Sequence, residues 1–308
     1  MKRGAISIFD IFKKTIREVI AAIYVYTGLH YFLLKLLDKK KVTIVVYHDP
    51  TPDKFRAHLE YLSRNYCFIS LNTLANAIQH KDWSGIPDNS LVVTIDDGHK
   101  GNHVLLDLFK YFRVTPTIYL CSHIVGTNRH FWWKNDAIDI PKLKKHPFHN
   151  MLDLLRDQAG FELEREYPDR QALNIFELRE MSPFVDFGSH TKFHPILTNC
   201  NDEDCFHEIR DSKKFLEEIL NRPMEHFVYP NGDYGERETN NLIKCGYKTG
   251  RTIDIGRNGV ETNPYRLKAI PIEDYASINV LRAQLSGFFS YMKYLRYGSF
   301  RGLRPPVI

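Results

Sequence analysis

Two adjacent carboxylates, Asp96 and Asp97, follow the apolar run at residues 91–95 and precede Gly98. Ionised carboxylates placed side by side repel each other unless a cation neutralises them. In a regular strand their side chains would point to opposite faces, but a bend at Gly98 lets both turn toward one site. The pair therefore fits a cation site at a strand end, and it also fits a polar turn that starts the next helix.

Histidines 190 and 194, in the stretch SHTKFHP, form a second candidate group. Side chains four residues apart on a helical turn face the same way, although Pro195 disfavours a helical conformation at His194. Imidazoles suit zinc and similar metals, and Asp97 would supply a third ligand. Such a set leaves coordination positions open for water and substrate. Paired histidines also occur on ordinary surfaces, so the spacing alone does not establish a metal site.

Two further polar groups follow apolar runs. His48 comes directly after residues 42–47, and a histidine there can donate a proton near neutral pH. It also fits a loop histidine with no role in chemistry. Asn231 lies in the turn Tyr-Pro-Asn-Gly, whose backbone N–H groups can face an oxyanion or simply form a tight turn.

The elements that must position these residues alternate between strand and helix. Apolar, largely β-branched runs predict buried strands, and apolar residues at helical spacing follow most of them. This alternation predicts a parallel sheet with right-handed crossovers, either a barrel or a doubly wound sheet. In both folds, active-site residues lie at the carboxyl ends of the strands, and the four polar groups occur at these ends. The predicted strands are 42–47, 91–95, 115–120, 185–187 and 226–229, and an insertion is predicted at about 128–180.

Composition excludes several classes of protein. The chain has 308 residues, of which 43% are hydrophobic and 26% charged, so a packed core is expected rather than disorder. A net charge of +5 with no dense basic stripe argues against nucleic-acid binding. Five cysteines without a CxxC pair argue against a disulfide framework or a cysteine zinc site, and they favour a reducing compartment.

The N-terminal segment, residues 1–40, contains a mostly apolar stretch at 19–34 with basic flanks. The stretch is shorter than the roughly 20 residues needed to span a bilayer, and it offers no clear signal-peptide cleavage site. We expect a helix packed on the domain. An interfacial membrane helix and a signal-anchor are the alternatives, and the location favoured is cytoplasmic or membrane-peripheral.

Taken in order, these groups resemble the polysaccharide deacetylase family, the NodB-homology domain of carbohydrate esterase family 4. TIDDG at 94–98 is similar to its first motif, TFDDG, and SHTKFHP at 189–195 to its second, HxxxHP. YHDP at 47–50 and YPNG at 229–232 resemble the branch that deacetylates biofilm poly-N-acetylglucosamine. The resemblance covers about residues 40–290.

The resemblance implies a distorted (β/α)7 barrel over residues 41–295, with a tail at 296–308. It also implies a divalent metal, usually zinc, and an acetylated glycan as substrate. Carried over by position, the metal ligands are Asp97, His190 and His194. Asp96 is then the general base and His48 the general acid, and the Asn231 N–H would face the oxyanion.

The chain departs from the family pattern in its third motif, RxPY. Val228 replaces the arginine and Asn231 replaces the tyrosine. Because that arginine normally steadies the catalytic aspartate, either another group does so here or Asp96 is less well held. The late LxxxH motif is not visible, which leaves His48 as the candidate acid.

The sequence therefore predicts a metal-dependent hydrolase that removes acetyl groups from N-acetylated, or O-acetylated, sugars. One alternative is a catalytically silent glycan-binding protein on the same fold, which would bind metal without releasing acetate. Another is a non-haem iron enzyme, since two histidines and a carboxylate also bind Fe(II), and oxygen-dependent turnover would identify it. Trp132 and Trp133 fit either stacking on sugar rings or core packing.

Overall fold

The structure, a computed structural model, describes residues 8–36 and 39–297. The helices in chain order are α1 (Ile8–Tyr26), α2 (Leu29–Leu36), α3 (Pro52–Asn65), α4 (Leu71–Gln79), α5 (Leu106–Phe112), α6 (Ile140–Leu143), α7 (Phe148–Ala159), α8 (Ile175–Met181), α9 (Asp202–Leu220), α10 (Glu236–Lys244), α11 (Ile278–Leu285) and α12 (Phe288–Tyr297). The strands are β1 (Thr43–Tyr47), β2 (Cys67–Phe68), β3 (Ser90–Ile95), β4 (Thr117–Leu120), β5 (Asp186–Ser189), β6 (His226–Val228), β7 (Thr249–Arg251) and β8 (Ile270–Pro271).

All strand pairs of the sheet are parallel, in the order β7-β6-β5-β4-β3-β1-β8, with β2 added beside β3. The helices surround this curled sheet, which confirms the predicted distorted (β/α)7 barrel. The five predicted strands correspond to β1, β3, β4, β5 and β6. Three short strands, β2, β7 and β8, were not predicted.

The strands are buried on both faces because helices cover the outside and side chains fill the inside. Every residue of β1, β3 and β4 is buried, as expected for β-branched runs in a parallel sheet. Helix α9 begins after Asn201, whose side chain accepts a hydrogen bond from the N–H of Asp204. Helix α10 ends before Gly246, whose φ of 73° suits a glycine.

The predicted insertion carries helices α6 and α7 and a 3-10 turn at Trp132–Lys134. Trp132 is fully buried among the side chains of this region, and its indole N–H donates to the carbonyl of Phe193 at 3.2 Å. Core packing is therefore the role of Trp132, while Trp133 remains half-buried.

The N-terminal segment forms two helices rather than one, because the chain turns at Gly28, where φ is 74°. Helix α1 packs on α11 through Ala21, Tyr24 and Val25. Among the described residues, no helix is long and apolar enough to cross a membrane. All five cysteines are free. Of the predicted tail at 296–308, residues 298–308 lie outside the described residues.

Candidate metal and catalytic site

The candidate residues meet because the strands that precede them are paired in register. Tyr47 at the end of β1 lies opposite Ile95 at the end of β3, so His48 and Asp96 leave the sheet side by side. Leu120 of β4 lies opposite Ser189 of β5, which brings His190 to the same edge. The loops at this carboxyl edge therefore form one site.

Asp97, His190 and His194 are buried, and each offers one ligand atom within 4.8 Å of the others. The Nε2 atoms of His190 and His194 lie 3.5 Å and 3.8 Å from Oδ1 of Asp97. Two imidazole nitrogens and one carboxylate oxygen are a donor set that suits zinc and similar divalent metals. The residues present therefore fit a divalent metal, as the sequence predicted for these three positions.

A hydrogen bond orients His190, and an aromatic ring lies against His194. Nδ1 of His190 lies 3.0 Å from the carbonyl oxygen of Val228, which leaves Nε2 as the nitrogen that faces Asp97. The rings of Trp133 and His194 are tilted by 40° to each other, with their centres 4.2 Å apart. Burial lowers the pKa of His190 and lowers that of His194 well below its ordinary value. Both imidazoles are thus kept in the neutral form that binds a metal.

Helix α9 fixes the loop between the two histidines. Oε2 of the buried Glu208 accepts the backbone N–H groups of Lys192, at 2.8 Å, and Phe193, at 3.1 Å. Within the loop, Oγ1 of Thr191 accepts the N–H of His194 at 2.9 Å. Thr191 and His194 have φ values of 65° and 60°, so these bonds hold a backbone that non-glycine residues rarely adopt.

His99 supports Asp97 from the other side. Its Nε2 lies 3.1 Å from Oδ2 of Asp97, and its Nδ1 lies 3.1 Å from Nζ of Lys134. Because the lysine can only donate, His99 donates through Nε2 to Asp97. Burial by itself would raise the pKa of Asp97, but the hydrogen bond from His99 holds that pKa well below its usual range.

Asp96 is held by an arginine from the opposite side of the curled sheet. Nη2 of Arg251, in β7, donates to both carboxylate oxygens of Asp96. Arg251 is fully buried, and its guanidinium lies 5.3 Å from the centre of the Tyr119 ring. Thus Arg251 supplies the contact that the missing motif arginine at Val228 would have supplied, and Asp96 is well held.

The other two candidates lie in flanking loops. His48 is exposed, and its backbone N–H donates to Asp274 at 3.0 Å. Asn231 is half-buried with φ of 58°. Its side-chain amide accepts from Lys144 at 3.2 Å and donates to Asp233 at 2.6 Å. The structure thus brings the two carboxylates and the two histidines together, with His48 and Asn231 in neighbouring loops.

Sequence reasoning missed three supporting residues: His99, Glu208 and Arg251. His99 directly follows the DDG motif, and this adjacency was a usable signal. Glu208 lies one position before Ile209 on the buried face of α9, so a carboxylate there could have been noticed. The sequence around Arg251 contains no motif that indicates a role in the site, because the residue is only one charged position in a short segment.

Comparisons with known proteins agree with this architecture. The S. pyogenes deacetylase PplD in complex with acetate is 19% identical, with a TM-score of 0.59, covering 79% of this chain and 98% of that chain. IcaB from Ammonifex degensii is 13% identical, with a TM-score of 0.58, covering 80% of this chain and 96% of that one. A de-N-acetylase from Aggregatibacter actinomycetemcomitans is 14% identical, with a TM-score of 0.57, and the match covers 79% and 99% of the two chains. At these identities the likeness establishes the fold.

A search of curated proteins gives no significant match. The sequence model of the family described as "Polysaccharide deacetylase" matches residues 85–250. The matched region is more than half of the chain, and it contains both carboxylates, both histidines and Asn231. The chain therefore belongs to the polysaccharide deacetylase family.

Proposed function

We propose that this protein is a metal-dependent hydrolase that removes the acetyl group from N-acetylated sugars of a glycan, with zinc as the metal. Membership of the polysaccharide deacetylase family supports glycan deacetylation. The observation that carries the proposal is the buried group of Asp97, His190 and His194 beside a second carboxylate, Asp96, that Arg251 holds in place.

Each residue of the site has its own role in the proposed reaction. Asp97, His190 and His194 would hold the metal, which when bound polarises an acetyl carbonyl and lowers the pKa of water to about 7. Asp96 accepts a proton from the attacking water while the oxygen of that water bonds to the acetyl carbon. The backbone N–H of Asn231 stabilises the negative charge on the carbonyl oxygen, a contact typically worth about 3 kcal/mol.

The leaving nitrogen must gain a proton, because an amide anion is too basic to depart. His48 is the donor we assign, since it leaves the sheet beside Asp96 at the same edge. As the C–N bond breaks, the proton passes to nitrogen, and the products are acetate and a free amino sugar. The YHDP and YPNG stretches favour a poly-N-acetylglucosamine-like substrate.

The test is acetate release from a panel of glycans: N-acetylglucosamine oligomers, peptidoglycan fragments and O-acetylated xylan. Each is assayed with protein as isolated, after dialysis against a chelator, and after addition of Zn²⁺. Release should require metal and should be fastest with an N-acetylated oligomer.

Two variants make the test specific to the site. His190→Gln should lose both metal and acetate release, because it removes a ligand. His226→Gln is the matched control, since His226 is equally buried but bonds to Thr249 and Asn72. Metal binding without acetate release from any substrate would instead support a silent glycan-binding protein. Release that survives complete metal removal would exclude the mechanism.

A further inference from the structure

Helix α1 exposes a row of large apolar side chains to solvent. The residues are spaced three or four apart, so they line one face of the helix. Each is between 42% and 85% exposed. The row, called the α1 stripe below, consists of Phe12, Ile16, Val19, Ile23 and Tyr26.

The α1 stripe is not an unfilled part of the core, because the opposite face of α1 is already packed. Tyr24 is buried against the domain, stacks on Phe288 at 4.0 Å and donates its hydroxyl hydrogen to Ser286 at 2.8 Å. Arg17 pairs with Glu273, and Glu18 accepts a hydrogen bond from Ser277. The helix is thus anchored in one orientation, and that orientation turns five apolar side chains outward.

The charges around the stripe fit an anionic surface. Lys13 and Lys14 are exposed at its start. From Phe12 to Tyr26, Glu18 is the one acidic residue, and it is bonded inward. An apolar row that begins with two lysines and has no outward acid between Phe12 and Tyr26 is suited to the boundary between headgroups and acyl chains of an anionic bilayer. A second copy of the chain would instead bring like charges together.

The stripe is connected to the active-site edge through one loop, residues 273–277. Glu273 and Ser277 in this loop bind α1. Between them, Asp274 accepts the backbone N–H groups of His48, at 3.0 Å, and Asp49, at 2.8 Å. The same short segment therefore holds both α1 and the loop that carries the candidate acid. A bilayer bound by the stripe would therefore be joined to the edge of the site by one short segment.

We propose that the α1 stripe docks the protein on an anionic lipid bilayer and so presents the site to acetylated sugars tethered at that surface. The docking stands by itself, whereas the substrate part rests on the deacetylase function proposed above. Because the anchor is an interfacial helix, binding should be reversible, stronger on anionic than on neutral vesicles, and weakened by salt.

The experiment is sedimentation of the full chain with phosphatidylcholine vesicles that contain 30% phosphatidylglycerol, and with pure phosphatidylcholine vesicles. The test variant is Phe12→Ser with Ile23→Ser, both 60% exposed. The control is Val104→Ser with Phe176→Ser, which are 59% and 74% exposed elsewhere on the surface. None of the four side chains is in the core, so both variants should fold.

The partition coefficient on anionic vesicles should fall at least about tenfold in the test variant and stay unchanged in the control. Absence of binding by the unaltered protein would overturn the proposal, as would equal binding by the two variants. A concentration-dependent dimer that the test variant alone abolishes, without vesicle binding, would also overturn it and assign the stripe to self-association.

A second arm separates docking from catalysis. Acetate release is measured from a soluble N-acetylglucosamine tetramer and from an octadecyl N-acetylglucosaminide inserted in anionic vesicles. The test variant should keep its rate on the soluble sugar and lose at least about tenfold on the vesicle-bound one. Equal rates on the vesicle-bound sugar would refute the substrate part. No release from either sugar by the unaltered protein would refute the deacetylase function but not the docking.

Discussion

Replacing Glu208 by glutamine should stabilise the protein at neutral and alkaline pH. A single oxygen of Glu208 accepts both backbone N–H groups of the loop, from Lys192 and Phe193. Glutamine can place its carbonyl oxygen at the same point and keep both hydrogen bonds. The substitution therefore removes a buried negative charge while it retains the contacts that hold the candidate metal loop.

The size of the effect follows from the pKa of Glu208, which burial raises from 4.5 to about 7 although the two backbone N–H groups oppose the shift. Between these two values the folded state binds more protons than the unfolded state, so stability falls as the pH rises through this window. One pH unit corresponds to about 1.4 kcal/mol, so the ionised carboxylate costs about 3 kcal/mol above pH 7. Below pH 4.5 both states are protonated and the cost disappears.

The measurement is urea-induced unfolding of the unaltered protein and of Glu208→Gln at pH 5 and pH 8. The advantage of the variant should grow by about 2 to 3 kcal/mol between the two pH values. Glu218→Gln, on the exposed side of the same helix, controls for the loss of one charge from α9. An advantage that does not change with pH, or a variant less stable at pH 8, would refute this account of Glu208.

Three further predictions concern the candidate base, the candidate acid and the arginine that positions the base. Asp96→Asn should retain metal by elemental analysis but lose most acetate release, and a near-normal rate would exclude Asp96 as the base. His48→Ala should remove the alkaline limb of the pH–rate profile and lower turnover of the amide substrate roughly 10²–10⁴-fold. Turnover of an activated acetate ester should fall much less, because its leaving group departs without a proton. Equal losses on amide and ester would show that His48 has a structural role. Arg251→Lys keeps a positive charge but lacks the planar guanidinium that holds both oxygens of Asp96. The value of kcat should therefore fall about 10- to 100-fold, while metal content and KM stay unchanged. Loss of metal with an unchanged kcat would contradict the positioning role of Arg251.

The fold was predictable wherever an element was long enough to show its period. Runs such as 42–47 and 91–95 are continuous apolar stretches, and they became the fully buried strands β1 and β3. Strands β2, β7 and β8 have two or three residues each and show no pattern of their own, because their pairing is set by neighbouring strands. The equally short β6 was predicted because its apolar run continues into Tyr229. The turn at Gly28 was missed because the apolar character continues across it.

The site was predictable where its residues lie close together in sequence. Asp96 and Asp97, or His190 and His194, are recognisable because each pair sits within a few residues at a strand end. Arg251 acts on Asp96 across 155 positions of sequence, and only the curl of the sheet brings β7 opposite β3. A contact of this kind depends on the closed tertiary structure, so a single sequence without the fold does not contain a local sign of it.

Backbone conformation supports the same location for the chemistry. Within the described residues, half of the non-glycine residues with positive φ lie at the site: Asp97 at 73°, Thr191 at 65°, His194 at 60° and Asn231 at 58°. Glycine would adopt these angles with less strain, and each such residue costs about 1–3 kcal/mol. The strain is held by local contacts, among them the hydrogen bond from His194 to Thr191 and that from Ser212 to the carbonyl of Thr191. Non-glycine residues at these positions lower the stability of the folded state. Such a loss is expected where the side chains themselves perform the chemistry.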